Sequence, residues 1–133
     1  MEAMKMNELS HLIIEVAIEM HKRLGPGLLE SVYQAVMAHE LRKRGLKVAT
    51  EVPVPVEWDG VKLEVGFRID LLVEDAIVIE LKSTDGVTPL FKKKLLTYLR
   101  LMNKRLGLLI NFNEVMLRNG IHRVANGFDD RVG

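Results

Sequence analysis

Two consecutive apolar segments, each interrupted by charge, constrain this chain more than any other feature. Residues 66–83 read Gly-Phe-Arg-Ile-Asp-Leu-Leu-Val-Glu-Asp-Ala-Ile-Val-Ile-Glu-Leu-Lys-Ser. Short β-branched runs of this kind predict two strands joined by a tight acidic turn. Asp70 interrupts the first strand, and Glu80 and Lys82 interrupt the second. A charge drawn into a core is strongly destabilising unless it is paired, hydrogen-bonded or bound to a metal. Three such charges on one hairpin predict a functional site.

Side chains alternate along a strand, so Val78, Glu80 and Lys82 share a face. If the loop is Glu74-Asp75-Ala76, Val73 pairs with Ile77 and Asp70 lies opposite Glu80. Opposed residues are about 5 Å apart on one face, close enough to share a divalent cation. Arg68 then lies opposite Lys82 and adds a second cation. A two-residue loop, Glu74-Asp75, would instead pair Asp70 with Ile79 and put the carboxylates on opposite faces. Only the first register makes a site. Two carboxylates so close repel, so one of them should have a raised pKa.

The rest of the chain supplies a scaffold around the hairpin. Residues 8–24 carry Leu9, Leu12, Ile13, Val16, Ala17, Met20 and Leu24 at helical spacing, ended by Gly25-Pro26. A second helix is predicted over 28–44, with Gly45 after it. Residues 51–58 read as a strand whose Pro53 and Pro55 assign it to a sheet edge. Asp59-Gly60 marks a hairpin turn to a strand from Val61. Thr88-Pro89 starts a helix that runs to about Asn103 and buries Phe91, Leu95, Leu99 and Met102. Leu106 to Phe112 is almost wholly apolar, as in a strand covered on both faces. Residues 115–118 and 121–124 flank Asn119-Gly120 and predict a small terminal hairpin. The residues from Asn126 onward are expected to fray.

At 133 residues the expectation is a single domain over 1–133. There is no cysteine, which excludes disulfides, thiolate zinc sites and cysteine-ligated iron–sulfur clusters. The net charge is +1, so affinity for nucleic acid must come from a local patch. No apolar run approaches membrane-spanning length and the N-terminus lacks a signal-peptide pattern. The cytoplasm is the expected compartment, and no membrane partner is expected.

Asp70, nine residues, Glu80, one residue, Lys82 resembles the active site of the PD-(D/E)XK nuclease superfamily. Gly27-x-x-Glu30-x-x-Tyr33 is similar to the signature of its small GxxExxY family, with His21 and Gly25-Pro26-Gly27 before it. The resemblance continues through Tyr98-Leu-Arg and Leu108-Leu-Ile-Asn-Phe112 and covers roughly residues 8–125. It implies an α/β (α+β) fold: a restriction endonuclease-like αβββαβ core, a central mixed sheet flanked by helices, an extra N-terminal helix and a C-terminal hairpin.

The resemblance also implies a Mg²⁺-dependent phosphodiesterase (Mn²⁺ is the alternative ion) acting on nucleic acid, DNA first. A carboxylate-bound cation can both activate a water and face the charge that builds on a phosphate. Asp70, Glu80, the Leu81 carbonyl and, directly or through water, Glu30 of an early helix are the implied metal ligands. Lys82 would orient the attacking water or stabilise the transition state. Asp70, Glu80, Lys82 and Glu30 thus form the expected catalytic set. Arg68, Tyr33, Lys92, Lys93, Lys94 and Tyr98 are candidate contacts to nucleic acid. For Tyr33 a core aromatic is an equal alternative, and His21 suits a cap or packing role better than catalysis. A homodimer is a further candidate assembly. One position departs from the pattern. Related nucleases carry Gln-x-x-x-Tyr on the helix after the Glu-x-Lys strand, and here Lys94 precedes Tyr98. That change leaves a second reading open, a catalytically silent nucleic-acid-binding or assembly module on the same fold.

Overall fold

Helix α1 spans Ala3–Leu24 and α2 spans Glu30–Lys43 in the computed structural model, which describes residues 3–64 and 66–127. Gly25 (φ 74°) ends α1, and its N–H donates to the His21 carbonyl. Gly45 (φ 81°) ends α2, and Leu46 N–H reaches back to the Leu41 carbonyl at 3.2 Å. Only a residue free of Cβ strain adopts such a φ readily, which is why both helices stop at glycine.

The strand expected over 51–58 is two strands, β1 (Val48–Pro53) and β2 (Val56–Trp58). Between them Val54 turns inward to 2% exposure and donates its N–H to the Phe67 carbonyl. β1 remains at the sheet edge, as its proline requires. β2 leaves that sheet and pairs with β3 (Val61–Leu63) through Asp59-Gly60, both at positive φ. This small hairpin is apolar on one face: Trp58 is 70%, Val61 55% and Leu63 42% exposed.

β4 (Arg68–Val73) and β5 (Ile77–Lys82) form the charged hairpin in the three-residue register, with Val73 opposite Ile77 and Leu71 opposite Ile79. Glu74 and Asp75 sit in the left-handed region (φ 53° and 52°), an unfavourable place for residues with a Cβ. Glu74 offsets that by accepting the Lys47 N–H at 2.9 Å and donating its own N–H to the Lys47 carbonyl at 2.8 Å.

Thr88 caps α3 (Pro89–Met102), accepting the Phe91 N–H, and Asn103 closes it in the left-handed conformation. α3 carries the chain over the sheet so that β6 (Leu106–Asn111) pairs parallel with β5. Every residue of β6 is buried. The sheet order is β1-β4-β5-β6-β7, mixed, with one core cluster against α1 and α2 and a second against α3. None of the described helices is long and apolar enough to cross a membrane.

The C-terminal hairpin is built differently from expectation. Residues 115–118 are not a strand; β7 (Ile121–Ala125) pairs antiparallel with β6 instead, after a 3₁₀ turn over Leu117–Gly120. Gly120 lies against β6 so closely that a Cβ would stand 2.3 Å from the Asn111 carbonyl oxygen. Asn119-Gly120 therefore serves a close approach and not a hairpin loop. Asn126 does not fray: its N–H reaches the Arg105 carbonyl and its side chain the Lys104 carbonyl, while residues 128–133 lie outside the described residues.

Candidate active site

The backbone pairing of β4 with β5 runs from Val73 and Ile77 to Leu71 and Ile79. One step further, at Asp70 and Glu80, the two carboxylates take over from the ladder. Glu80 Oε1 accepts the Asp70 N–H at 3.0 Å, and Asp70 Oδ2 accepts the Leu81 N–H at 2.7 Å. Each acid thus bonds the other strand's backbone, which fixes both on one face. Alternation makes that the α3 face, where Val78 and Leu72 pack, while Leu71, Ile79 and Leu81 join the opposite cluster.

Burial lifts both acids. Glu80 is pushed up to about 8, first by burial and then by the charge of Asp70, against the opposing Asp70 N–H bond and Lys82 charge. Asp70 is also raised, again first by burial, with the charges of Glu30 and Glu51 adding and the Leu81 N–H bond opposing. Repulsion between the pair is therefore real but secondary to desolvation.

Lys82 follows on the same face and lines a recess of about 90 Å³ with Glu80, Phe91, Lys94, Leu95, Tyr98 and Leu109. Its Nζ sits 4.6 Å from the centre of the Phe91 ring. It takes no part in the ion pairs among the described residues, so it does not neutralise Glu80 by direct contact. A cation over a ring is attracted by the ring's negative face.

Glu30 begins α2 and accepts the Ser83 N–H at 3.3 Å through Oε2, and Ser83 Oγ donates to the Leu28 carbonyl at 2.7 Å. Both bonds fasten the 25–30 loop to the end of β5. Glu30 is near enough for its charge to raise Asp70 and Glu80.

Tyr33 lies in the core. It is fully buried, stacked on Phe112 at 4.2 Å, and its hydroxyl donates to the Gly25 carbonyl and accepts the Leu28 N–H. It pins the loop from beneath, Gly27 (φ 93°) gives the loop its turn, and Glu30 extends it toward the site. His21 likewise is structural, with Nε2 2.8 Å from the Glu114 carbonyl oxygen.

The basic stretch divides. Lys94 and Tyr98, one turn apart on α3, line the recess beside Glu80. Burial first, and then the charge of Glu80, raises the Tyr98 hydroxyl. Lys92 stands instead near His122 of β7, whose pKa burial and then the Lys92 charge lower. Lys93 is exposed. Lys104 pairs with Asp75 at 3.1 Å, far along the sheet from the carboxylates. Arg68 is exposed on the Asp70 face of β4, and its Nη1 donates to the Glu51 carbonyl at 3.3 Å.

Four contributors escape a reading of the sequence. Phe91 supports Lys82. Phe67 packs its ring 6.0 Å from that of Tyr98. Asn111, fully buried, holds the chain after β5 through both Thr84 N–H and Thr84 carbonyl. Glu51 stands opposite Asp70 in the register of β1, at φ 50° inside a strand. None has a local signal, because each acts through partners distant in sequence.

Among the described residues no group of three or more His, Cys, Asp or Glu is placed to hold a metal. Asp70 and Glu80 offer two hard carboxylates on one face. Such a pair fits a hard divalent cation that keeps several waters and takes few protein ligands better than one needing a full protein cage.

A family model described as the PD-(D/E)XK nuclease superfamily matches residues 7–124. No curated protein matches the chain. Among solved structures, the crystal structure of SSO0001 is similar, with a TM-score of 0.53 at 20% identity, over 77% of this chain and 53% of that one. The chain thus spans about half the length of that protein, and the likeness shows a shared fold.

Proposed function

The chain belongs to the PD-(D/E)XK nuclease superfamily, and we propose from that premise that it hydrolyses phosphodiester bonds in nucleic acid, DNA foremost, with Mg²⁺ or Mn²⁺ bound by Asp70 and Glu80. The observation that carries this reading is the pair of half-buried acids at the end of the β4–β5 ladder, with Lys82 on the same face.

A bound divalent cation would supply a Lewis acid for the phosphate and lower the pKa of a water. Asp70 and Glu80 would be its oxygen donors, with the Leu81 carbonyl as the third and Glu30 as a neighbour. Glu80 must give up a proton to serve, since burial favours its neutral form at pH 7. Lys82, whose Nζ lies 4.6 Å from the centre of the Phe91 ring, orients the attacking water or meets the charge that grows on the phosphate. Lys94 and Tyr98 hold the flanking phosphate at the recess. Arg68 contacts the strand on the other side of Asp70, and Lys92 and Lys93 add attraction from the exposed side of α3.

Plasmid, linear duplex and single-stranded DNA incubated with the protein and Mg²⁺ or Mn²⁺ test this. Cleavage by wild type that falls at least a hundredfold in Lys82→Ala is the expected result, in line with loss of a group acting on the reacting atoms. No cleavage by wild type, or equal cleavage by the variant, removes the reading. The second reading, a silent binding module, is favoured by Lys94 standing where related nucleases carry Gln. It would show as binding of nucleic acid without turnover.

A further inference from the structure

An aromatic ring stands in water at the edge of the carboxylate site, and hydrolysis alone gives it no task. Phe67 precedes β4 and is 46% exposed. Its ring lies 6.0 Å from that of Tyr98, inclined at 45°. Tyr98 in turn shares the recess with Glu80, Lys82 and Lys94. The position of Phe67 is well anchored. Its carbonyl accepts the Val54 N–H at 2.8 Å, and buried Val54 and Ile69 hold the backbone on either side in the α3-side cluster.

The charge pattern narrows what such a ring meets. Duplex binding draws on many phosphate contacts along an extended basic surface. Here the net charge is +1. Among the described residues the cations placed at the ring and the recess are Arg68, next to Phe67 in sequence, and Lys82 and Lys94, which share the recess with Tyr98. Lys92 and Lys93 lie farther round α3. A few cations beside an exposed ring suit a single strand, whose bases offer faces for stacking that a duplex hides.

We propose that Phe67, backed by Tyr98, is a stacking platform for an unpaired nucleobase, so that the substrate is single-stranded nucleic acid or the unpaired end of a duplex. The phosphate next to the stacked base then lies toward Asp70 and Glu80. This rests on the nuclease reading above and names its substrate form.

Fluorescence anisotropy with labelled thymidine and uridine oligonucleotides, in Ca²⁺ in place of Mg²⁺, tests the platform. Wild type is expected to bind single strands more tightly than a blunt duplex. Phe67→Ala and Phe67→Leu should each weaken single-strand binding about tenfold, and Phe67→Trp should restore it. The loss should appear in deoxy- and ribo-strands alike, because stacking uses the base. An abasic strand should bind wild type and Phe67→Ala equally. Unchanged single-strand affinity in Phe67→Ala, or tighter binding of the blunt duplex by wild type, overturns the proposal while wild-type cleavage still supports the nuclease reading. Failure of wild type to bind or cut any form removes both. Circular dichroism of the variants checks folding, and Phe67→Leu keeps an apolar contact to Tyr98 should the alanine variant unfold.

Discussion

Glu80 holds its proton more tightly in the fold than in the unfolded chain, about 8 against 4.5. Its contribution to stability is therefore complete below about pH 4.5 and is lost as pH rises to about 8, amounting to on the order of a few kcal/mol. In EDTA the melting temperature should fall across that window, and Glu80→Gln should flatten the fall. Calorimetry at stepped pH measures both, and a flat wild-type profile would contradict the burial of this acid. Protons compete with a metal for these carboxylates. Burial moves that competition upward, so stabilisation by millimolar Mg²⁺ or Mn²⁺ should grow between about pH 6 and 9. Asp70→Asn should abolish the metal response and leave the metal-free protein as stable or more so, because the amide oxygen can still accept the Leu81 N–H. Tyr33 is read by a different assay. Tyr33→Phe removes two hydrogen bonds that hold the 25–30 loop. It should lower stability by about 1–2 kcal/mol in urea melts and leave affinity for nucleic acid unchanged. A selective loss of affinity would return Tyr33 to the binding surface.

Elements with local signals were legible in the sequence: α3 between Thr88-Pro89 and Asn103, β6 as an unbroken apolar run, and the β4–β5 hairpin with its charges in register. Elements decided by distant partners were not. Val54 breaks the predicted 51–58 strand because it packs beneath α3 with Ile69 and Leu95, which nothing near it in sequence announces. Asn119-Gly120 has the composition of a hairpin turn, yet β6 already offered an edge, and residues 121–125 took it. Gly120→Ala tests that explanation. Its Cβ would meet a backbone oxygen at 2.3 Å, which no rotamer can relieve. A loss of about 1–3 kcal/mol is expected, as for overpacking at a tight site. A neutral result would mean that the turn yields freely. The same reasoning divides the candidate site. Asp70, Glu80 and Lys82 were readable because one hairpin carries them, whereas Phe67, Phe91 and Asn111 reach it only through tertiary packing.

At the level of the molecule, the two core clusters share the central strands β4, β5 and β6, so neither can melt alone. Far-UV circular dichroism in urea should show one transition over residues that we take to form one folding unit. Trp58 should report little of it, being 70% exposed in the folded state. Its emission should be near that of free indole before and after unfolding, and a blue-shifted folded spectrum would mean that something covers the β2–β3 face. Two unlinked transitions would instead divide the chain. The fully buried β6 has a further consequence, for synthesis. It is the strand that closes the parallel side of β5, and it follows β5 and α3 in sequence, at Leu106–Asn111. Until it leaves the ribosome, the parallel edge of β5 and the apolar side chains that β6 covers in both core clusters stay open. The nascent domain then keeps that edge open until β6 emerges, and closes its core only afterwards.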